Sequence, residues 1–302
     1  ISLSLLYMGL TLVCGVVLWL VGMTPFEAAC HAFTTVSTGG FSTSDSSIGH
    51  FESASIEYVI SLFMVLGSLP FILYLKVLSG NPLKLVRDTQ VHGYVAVLLV
   101  IIIPLSGWLC LSSDYPLSQS VRYAAFNVIS VITGTGFAST DYTAWGNLSV
   151  VVFFFIMFIG GCSGSTSCGI KIFRFQVMIS AAKSYLKKYL FPRGVFISKY
   201  NGQPITEKIS GSVFSFVFLF VVSLAIITLC LTLTGLDFAT ALSGAGTALA
   251  NVGPGVGHLI GPAGNFQQLP SSSKWILSFA MLLGRLEIFS VLVLLSPAFW
   301  NQ

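Results

Sequence analysis

The chain has 302 residues, of which 55% are apolar and only 8% charged, with a net charge of +4. A soluble domain carries about 25% charged residues. This composition, with a mean hydropathy of +0.89, therefore excludes a water-solvated globule and implies a polytopic membrane protein. Nor do the six Cys build a disulfide framework or a zinc site. Cys14, Cys110 and Cys230 lie in apolar runs, and the Cys162–Cys168 spacing comes without a second pair or a nearby His.

The first apolar run, Ile1 to Val21, is long enough to cross roughly 30 Å of hydrocarbon as a helix. Thr24-Pro25 then starts a helix of Pro25 to Thr35, too short to span, which reads as re-entrant. The uncharged stretch Val36-Ser37-Thr38-Gly39-Gly40-Phe41 follows. After a polar loop, Ile56 to Val77 is a second crossing, with Glu57 expected near the headgroups. Val91 to Leu111 is a third crossing, expected to bend at Pro104.

A second short helix, Pro116 to Ser130, carries Arg122, which should point away from lipid. It leads into Val131-Ile132-Thr133-Gly134-Thr135-Gly136-Phe137, too rich in Gly and Thr to propagate a helix well. The fourth crossing starts at about Leu148, breaks at Gly160 to Gly169 and resumes near Ile170 toward Tyr189. Val213 to Leu233 is a fifth crossing. A third short helix, Leu236 to Leu249, has Asp237 at its start, where a carboxylate favours the dipole. Ala250-Asn251-Val252-Gly253-Pro254-Gly255 follows it, and Trp275 to Leu295 is the sixth crossing, holding Arg285 and Glu287. The chain thus repeats one unit: long apolar helix, short helix, Gly/Thr turn, long apolar helix.

Charge orients these crossings. Of 14 Lys and Arg, 11 fall between Lys76 and Arg87 or between Lys171 and Lys208, on one side of a six-crossing arrangement. The positive-inside rule makes that side cytoplasmic. The short helices then enter from outside, where Glu27, Asp45, Glu52, Asp114, Asp141 and Asp237 also fall and would concentrate cations.

Irregular backbone inside a bilayer is tolerated where it is buried in protein or lines a wet cavity. Three such turns at matching positions favour a central pore over loops that merely pack helices. Gly lets successive carbonyls face one axis, and Thr adds a hydroxyl oxygen. Rings of carbonyls replace the hydration shell of a monovalent cation. No turn carries the carboxylate that a divalent filter calls for.

Below the turns, Gly160-Gly161-Cys162-Ser163-Gly164-Ser165-Thr166-Ser167-Cys168-Gly169 reads either as a loop that blocks ions until it moves or as a glycine-rich packing kink. Its spacing fits no phosphate-binding loop. Arg285 is costly in hydrocarbon, roughly 2.5–3.5 kcal/mol, so it faces the interior. There it either meets loop carbonyls or pore water, or pairs with another helix. Lys171 does similar work or snorkels to the surface. Lys183, Lys187, Lys188, Arg193 and Lys199 are a membrane anchor or a docking surface. His31, His50, His92 and His258 are scattered and make no metal site or catalytic pair. Ser165, Thr166 and Ser167 lack a base for enzymatic chemistry.

Five stretches together resemble a known family: Thr35 to Thr43, Ser130 to Phe137, Ala248 to Gly255, Gly160 to Thr166, and Gly284-Arg285-Leu286-Glu287. They are similar to the membrane subunit of bacterial potassium uptake systems, the TrkH/KtrB superfamily, and within it the TrkH type. The resemblance implies an all-α inner-membrane protein in which four helix–pore helix–helix units surround a pseudo-fourfold pore. Residues 1–80, 91–200 and 209–302 would be the second, third and fourth units, with a first unit expected upstream.

The resemblance also implies a potassium filter of Ser37, Thr38, Gly39, Gly40, Thr133, Gly134, Thr135, Gly136, Asn251, Val252 and Gly253, potassium being the transported ion. The gate would comprise Gly160, Gly161, Cys162, Ser163, Gly164, Ser165, Thr166 and Gly169 with Lys171 and Arg285. The implied partners are a second copy in a homodimer, a cytosolic TrkA-like nucleotide-binding ring protein and membrane lipids, with no nucleic acid. Channel-like conduction is favoured over symport coupled to protons or sodium, because the sequence offers no buried Asp–His relay.

Overall fold

A computed structural model describes residues 2–300 except 114, 258, 287 and 295. The expectations placed on Asp114, His258 and Glu287 lie outside the described residues. The chain is helical almost throughout. Among the described residues the only strands are two short pairings, β1 (Ile159–Gly160) with β2 (Ile170–Lys171), and β3 (Lys199–Tyr200) with β4 (Gln203–Pro204).

Three times a long apolar helix is followed by a shorter one, a turn and an interrupted helix. The first succession is α1 (Ser2–Leu20), α2 (Pro25–Val36), α3 (Ala54–Gly67) and α4 (Phe71–Leu78), with α5 (Leu83–Val86) in the connection. The second is α6 (Thr89–Ser112), α7 (Leu117–Thr133), α8 (Asn147–Ile156) and α9 (Ile172–Leu190). The third is α10 (Glu207–Leu233), α11 (Phe238–Ala250), α12 (Ser271–Arg285) and α13 (Ile288–Leu294), closed by α14 (Pro297–Trp300).

The short helices start where their caps dictate. Thr24 and Glu27 form a reciprocal capping box before α2, the Thr24 hydroxyl donating to Glu27 Oε2 at 2.7 Å. That bond, with the Thr24 backbone N–H, holds the exposed Glu27 carboxyl below its ordinary pKa. Asp237 caps α11 by accepting from Thr240 N–H at 3.1 Å, and the same contacts lower its pKa. Each carboxylate also faces the positive end of its helix.

The fourth crossing is broken between Ile156 and Ile172, as expected, but two crossings expected to be continuous are broken as well. Leu3–Leu20, Thr89–Ser112 and Glu207–Leu233 are single helices long and apolar enough to span. The crossing expected over Ile56 to Val77 is two helices bent by 91°. Pro70 lacks an N–H and disfavours helical backbone at Leu69, so the ladder cannot continue through it. The crossing expected over Trp275 to Leu295 likewise stops at Arg285 and resumes at Ile288. In all three successions the helix before the turn is whole and the one after it is interrupted. Pro104, by contrast, lies inside one uninterrupted helix.

Two further expectations change. The helix expected to end at Ser130 runs on through Val131, Ile132 and Thr133, all buried, so packing overrides their weak propensity. Glu57 is not at the headgroups: it is 5% exposed and its Oε2 lies 3.4 Å from Arg122 Nε. Arg122 points away from lipid, as expected, because its counter-charge lies on the neighbouring α3.

The core falls into three clusters. One joins α1, α2 and α3 around Cys14, Val36, Ile60 and Met64, and takes in Phe126 and Phe137 from the second succession. The next is built on α6, α7 and α8 and reaches Ala250 and Val252 of the third. The last packs α10 against α11 and α12. The first two clusters therefore borrow side chains at or near the next succession's turn, so those turns sit where the successions meet. Outward residues such as Leu5, Met8, Leu12, Val100, Ile103, Phe218 and Leu229 are exposed and apolar, as a lipid-facing surface requires.

Candidate functional site

The three Gly/Thr stretches adopt the same backbone. Positive φ recurs two residues apart in each: Thr38 (53°) and Gly40 (68°), Gly134 (71°) and Gly136 (84°), Asn251 (54°) and Gly253 (112°). Left-handed backbone suits Gly and is tolerated by Asn, but for a β-branched Thr it is an outlier. Strain of that kind concentrates at functional sites.

The reason for the pattern lies in the hydrogen bonds. Gly39 and Gly40 N–H both donate to Thr34 O, at 2.7 and 3.4 Å. Thr135 and Gly136 N–H both donate to Ser130 O, at 3.0 and 3.2 Å. Val252 N–H donates to Thr247 O at 3.0 Å, while Gly253 N–H goes to the Thr247 hydroxyl, also at 3.0 Å. Consecutive N–H groups converging on one point are what alternating left- and right-handed residues produce. The side chains of the same three residues serve as struts. Thr34 Oγ1 donates to Phe41 O at 2.8 Å and Ser130 Oγ to Phe137 O at 2.6 Å. Sequence reading missed these struts, although a hydroxyl six positions before each turn glycine is visible in the sequence.

The turns abut one another in order. A Cβ on Gly40 would overlap the carbonyl of Thr135, and a Cβ on Gly136 would overlap that of Val252. Ser37 is the C-terminal cap of α2, and Thr133 is the last residue of α7, its hydroxyl 2.8 Å from that of Thr135. Thr38, Thr133 and Thr135 are all buried. Gly284 brings α12 against the end of α11, where a Cβ would overlap Leu249 O.

The segment 160–169 packs against the first and second of these turns. Gly160 and Lys171 are held in the parallel β1–β2 pairing, and the loop between them folds back on itself. Gly161 N–H donates to Ser167 Oγ at 3.0 Å, and Ser165 Oγ donates to Cys162 O at 2.6 Å. The loop docks into the α3–α4 break. Cys162 N–H donates to Ser68 O at 3.0 Å, Thr166 N–H to Gly67 O at 3.3 Å, and Phe71 N–H to Gly164 O at 3.0 Å. Gly67 O and Ser68 O, left open where the helix breaks, thus find donors in the loop, while Leu66 O, the carbonyl that Pro70 cannot serve, accepts from the Tyr74 hydroxyl at 2.6 Å, as backbone at membrane depth requires.

Thr166 ties the loop to the first turn. Its hydroxyl lies 2.9 Å from Val36 O and 3.0 Å from Gly67 O, and its carbonyl accepts from Thr38 Oγ1 at 3.0 Å. Near the second turn, a Cβ on Gly134 would lie 3.6 Å from Cys168 N. Gln90 of α6, which sequence reading passed over, accepts from Ser163 N–H at 2.8 Å.

Arg285 reaches the loop as expected, but through sulfur rather than a carbonyl: its Nη1 donates to Cys168 Sγ at 2.7 Å. A cavity of about 270 Å³ lies there, lined by Thr166, Cys168, Lys171, Arg174, Gly284 and Arg285 among others. The Arg174 guanidinium sits 3.7 Å over the Phe216 ring. Lys171, Arg174 and Arg285 thus all border this cavity.

The chain matches the TrkH family model, described as a cation transport protein, over residues 2–302. It belongs to the TrkH family. It is 50% identical to the Trk system potassium uptake protein TrkI of Halomonas elongata, over 98% of this chain and 60% of that protein. It is 33% identical to the Trk system potassium uptake protein TrkH of Escherichia coli, over 100% of this chain and 62% of that one. Its fold is similar to the crystal structure of the potassium transporter TrkH from Vibrio parahaemolyticus. There the TM-score is 0.93 at 32% identity, covering 99% of this chain and 64% of that one. The chain spans about three fifths of the length of the curated relatives it matches. As a TrkH-family chain with several helices long and apolar enough to span, it is a multi-pass protein of the bacterial inner membrane.

Proposed function

We propose that the three turns form three sides of a carbonyl-lined potassium filter, and that the segment 160–169 is the gate of a channel-like uptake pathway. The observation that carries the reading is the convergence of paired N–H groups on Thr34 O and Ser130 O. With the N–H groups turned toward the short helix, the carbonyls of Thr38, Gly39, Gly134 and Thr135 turn the other way, toward the middle of the ring. Uncharged carbonyl oxygens on a common axis suit a desolvated monovalent cation. The short helices add their partly negative C-terminal ends.

In this reading the three successions are helix–pore helix–helix units, and residues 1–80, 91–200 and 209–302 are their extents. The fourth side belongs to a unit of the longer protein. It would pack beside the third turn, where a Cβ on Gly253 meets nothing nearer than the Gly136 Cα at 3.9 Å. In this reading Arg285, held against Cys168 Sγ, acts as an electrostatic barrier under the gate. By resemblance alone, the basic stretch from Lys183 to Lys199 receives a cytosolic nucleotide-binding regulator, and the protein pairs as a homodimer.

The test is selective flux through the full-length protein. Gly136→Ala places a methyl against Val252 O at a positive φ, so the ratio of rubidium to sodium uptake should collapse. An unchanged ratio at wild-type expression would refute the filter reading.

A further inference from the structure

The reading of the turns as a filter leaves one set of buried polar groups unused, and this inference rests on that reading. His31 and Asn127 are both fully buried, one on α2 and one on α7. Each lies nine residues before the glycine of its turn, Gly40 and Gly136. Each bonds the carbonyl one helical turn back: His31 Nδ1 to Glu27 O at 2.7 Å, and Asn127 Nδ2 to Tyr123 O at 2.9 Å. Each also reaches across to a serine on the arm that leaves the turn. His31 Nε2 lies 2.9 Å from Ser42 Oγ, and Asn127 Nδ2 donates to Ser139 Oγ at 3.0 Å while Oδ1 accepts from Ser139 N–H at 3.3 Å.

The chemistry fixes the tautomer of His31. A carbonyl only accepts, so Nδ1 carries the proton toward Glu27 O, and Nε2 is the acceptor for the Ser42 hydroxyl. Ser42 Oγ in turn accepts from Ser44 N–H at 3.2 Å. The imidazole packs edge-on to Phe51, with ring centroids 5.4 Å apart, and against Phe137 at 5.8 Å. Phe137 directly follows Gly136, so His31 backs two neighbouring turns at once. At the third turn the equivalent position is Gly244, which has no side chain. There the adjacent Ser243, also buried, donates to Val256 O at 3.0 Å.

We propose that His31 and Asn127, with Ser243 in the third place, are positioning residues for ion selectivity. They do not touch the ion. They hold the outer arm of each turn against its short helix, and so set the ring diameter at which carbonyls fit potassium and leave sodium under-coordinated. Two different side chains at equivalent places each tie the carbonyl one turn back to a serine on the outgoing arm, His31 by accepting from the serine hydroxyl and Asn127 by donating to it, which a packing role alone would not require.

The test uses the full-length protein and reads the ratio of rubidium to sodium uptake together with maximal rubidium flux. Ser42→Ala removes only the arm hydroxyl, and Ser139→Ala does the same in the second turn. Each should lower the ratio about two- to tenfold, the worth of one buried hydrogen bond, with expression and maximal flux retained. His31→Leu should lower it by a similar factor, and His31→Leu with Ser42→Ala no further, because the two act through one bond. His31→Gln, which offers an acceptor where Nε2 stands, should restore the ratio.

Ratios unchanged in both serine variants would overturn the proposal while leaving the filter reading intact. So would losses that add independently in the His31–Ser42 pair. Should His31→Leu fail to fold, the serine variants and His31→Gln decide alone. A wild-type protein that does not discriminate rubidium from sodium would remove the filter reading and this inference together.

Discussion

Thr166→Val isolates the contact that, if the segment 160–169 is the proposed gate, holds it closed. Valine keeps the shape of threonine and removes the hydroxyl lying 2.9 Å from Val36 O and 3.0 Å from Gly67 O. Gly67 O keeps a donor in the Thr166 N–H at 3.3 Å. Val36 O, at the end of α2, loses the Thr166 hydroxyl. Leaving a buried acceptor without its donor costs about 1–3 kcal/mol. That cost falls on the docked loop and not on a displaced one, in which water reaches the carbonyl. At about 1.4 kcal/mol per tenfold, the ratio of docked to displaced loop falls roughly 5- to 150-fold. Rubidium uptake by the full-length protein in proteoliposomes should rise accordingly, and Thr166→Ser, which keeps the hydroxyl, should stay near wild type. Flux that is unchanged or lower in Thr166→Val, with normal expression and normal selectivity, would refute the reasoning.

Three other predictions follow from the same structure. Arg285→Met removes the cation held against Cys168 Sγ at 2.7 Å, so uptake should rise and its dependence on ionic strength should weaken; unchanged flux would count against an electrostatic barrier. Glu57→Leu leaves the partly buried Arg122 without the carboxylate 3.4 Å away and should lower the melting temperature, the loss staying below the roughly 3–5 kcal/mol of a fully buried pair, whereas Glu57→Leu with Arg122→Met should recover most of the loss, as read by thermal unfolding in detergent. The Glu27 carboxyl is held below its ordinary pKa of 4.5, so its capping contribution is complete above that value and lost as pH falls through the lowered one. Acidification through that window should therefore lower the melting temperature of the wild type more than that of Glu27→Gln; equal slopes would show that the cap does not contribute.

The repeated order of elements was legible because it rests on long-wavelength signals, namely apolar runs, Gly/Thr turns and the placement of Lys and Arg. The short helices were legible from Thr24-Pro25 and Asp237, whose caps act locally. The break in the fourth crossing was legible too, from the Gly-rich run Gly160 to Gly169, but the interruptions of the second and sixth were not. Between Ile56 and Val77 hydropathy is continuous, and only Pro70 marks a break that the loop from Gly160 to Gly169 then fills with hydrogen bonds. The end of α7 was misplaced because Val131 to Thr133 have weak helix propensity, and burial between successions decides instead. Glu57 and Arg122 lie far apart in sequence on helices that only the fold brings together. His31 read as an isolated histidine because its partner Ser42 is eleven positions away. Its likeness to Asn127 shows only when the turns are aligned on Gly40 and Gly136.

The central claim is that carbonyls of the three turns share one axis and hold a potassium-like ion. Anomalous scattering from crystals of the full-length protein grown in rubidium tests it most directly. The account predicts peaks on that axis, in contact with the carbonyls of Gly39, Thr135 and Val252 and above Thr166. Ordered rubidium elsewhere in the protein, with no peak among those carbonyls, would contradict it.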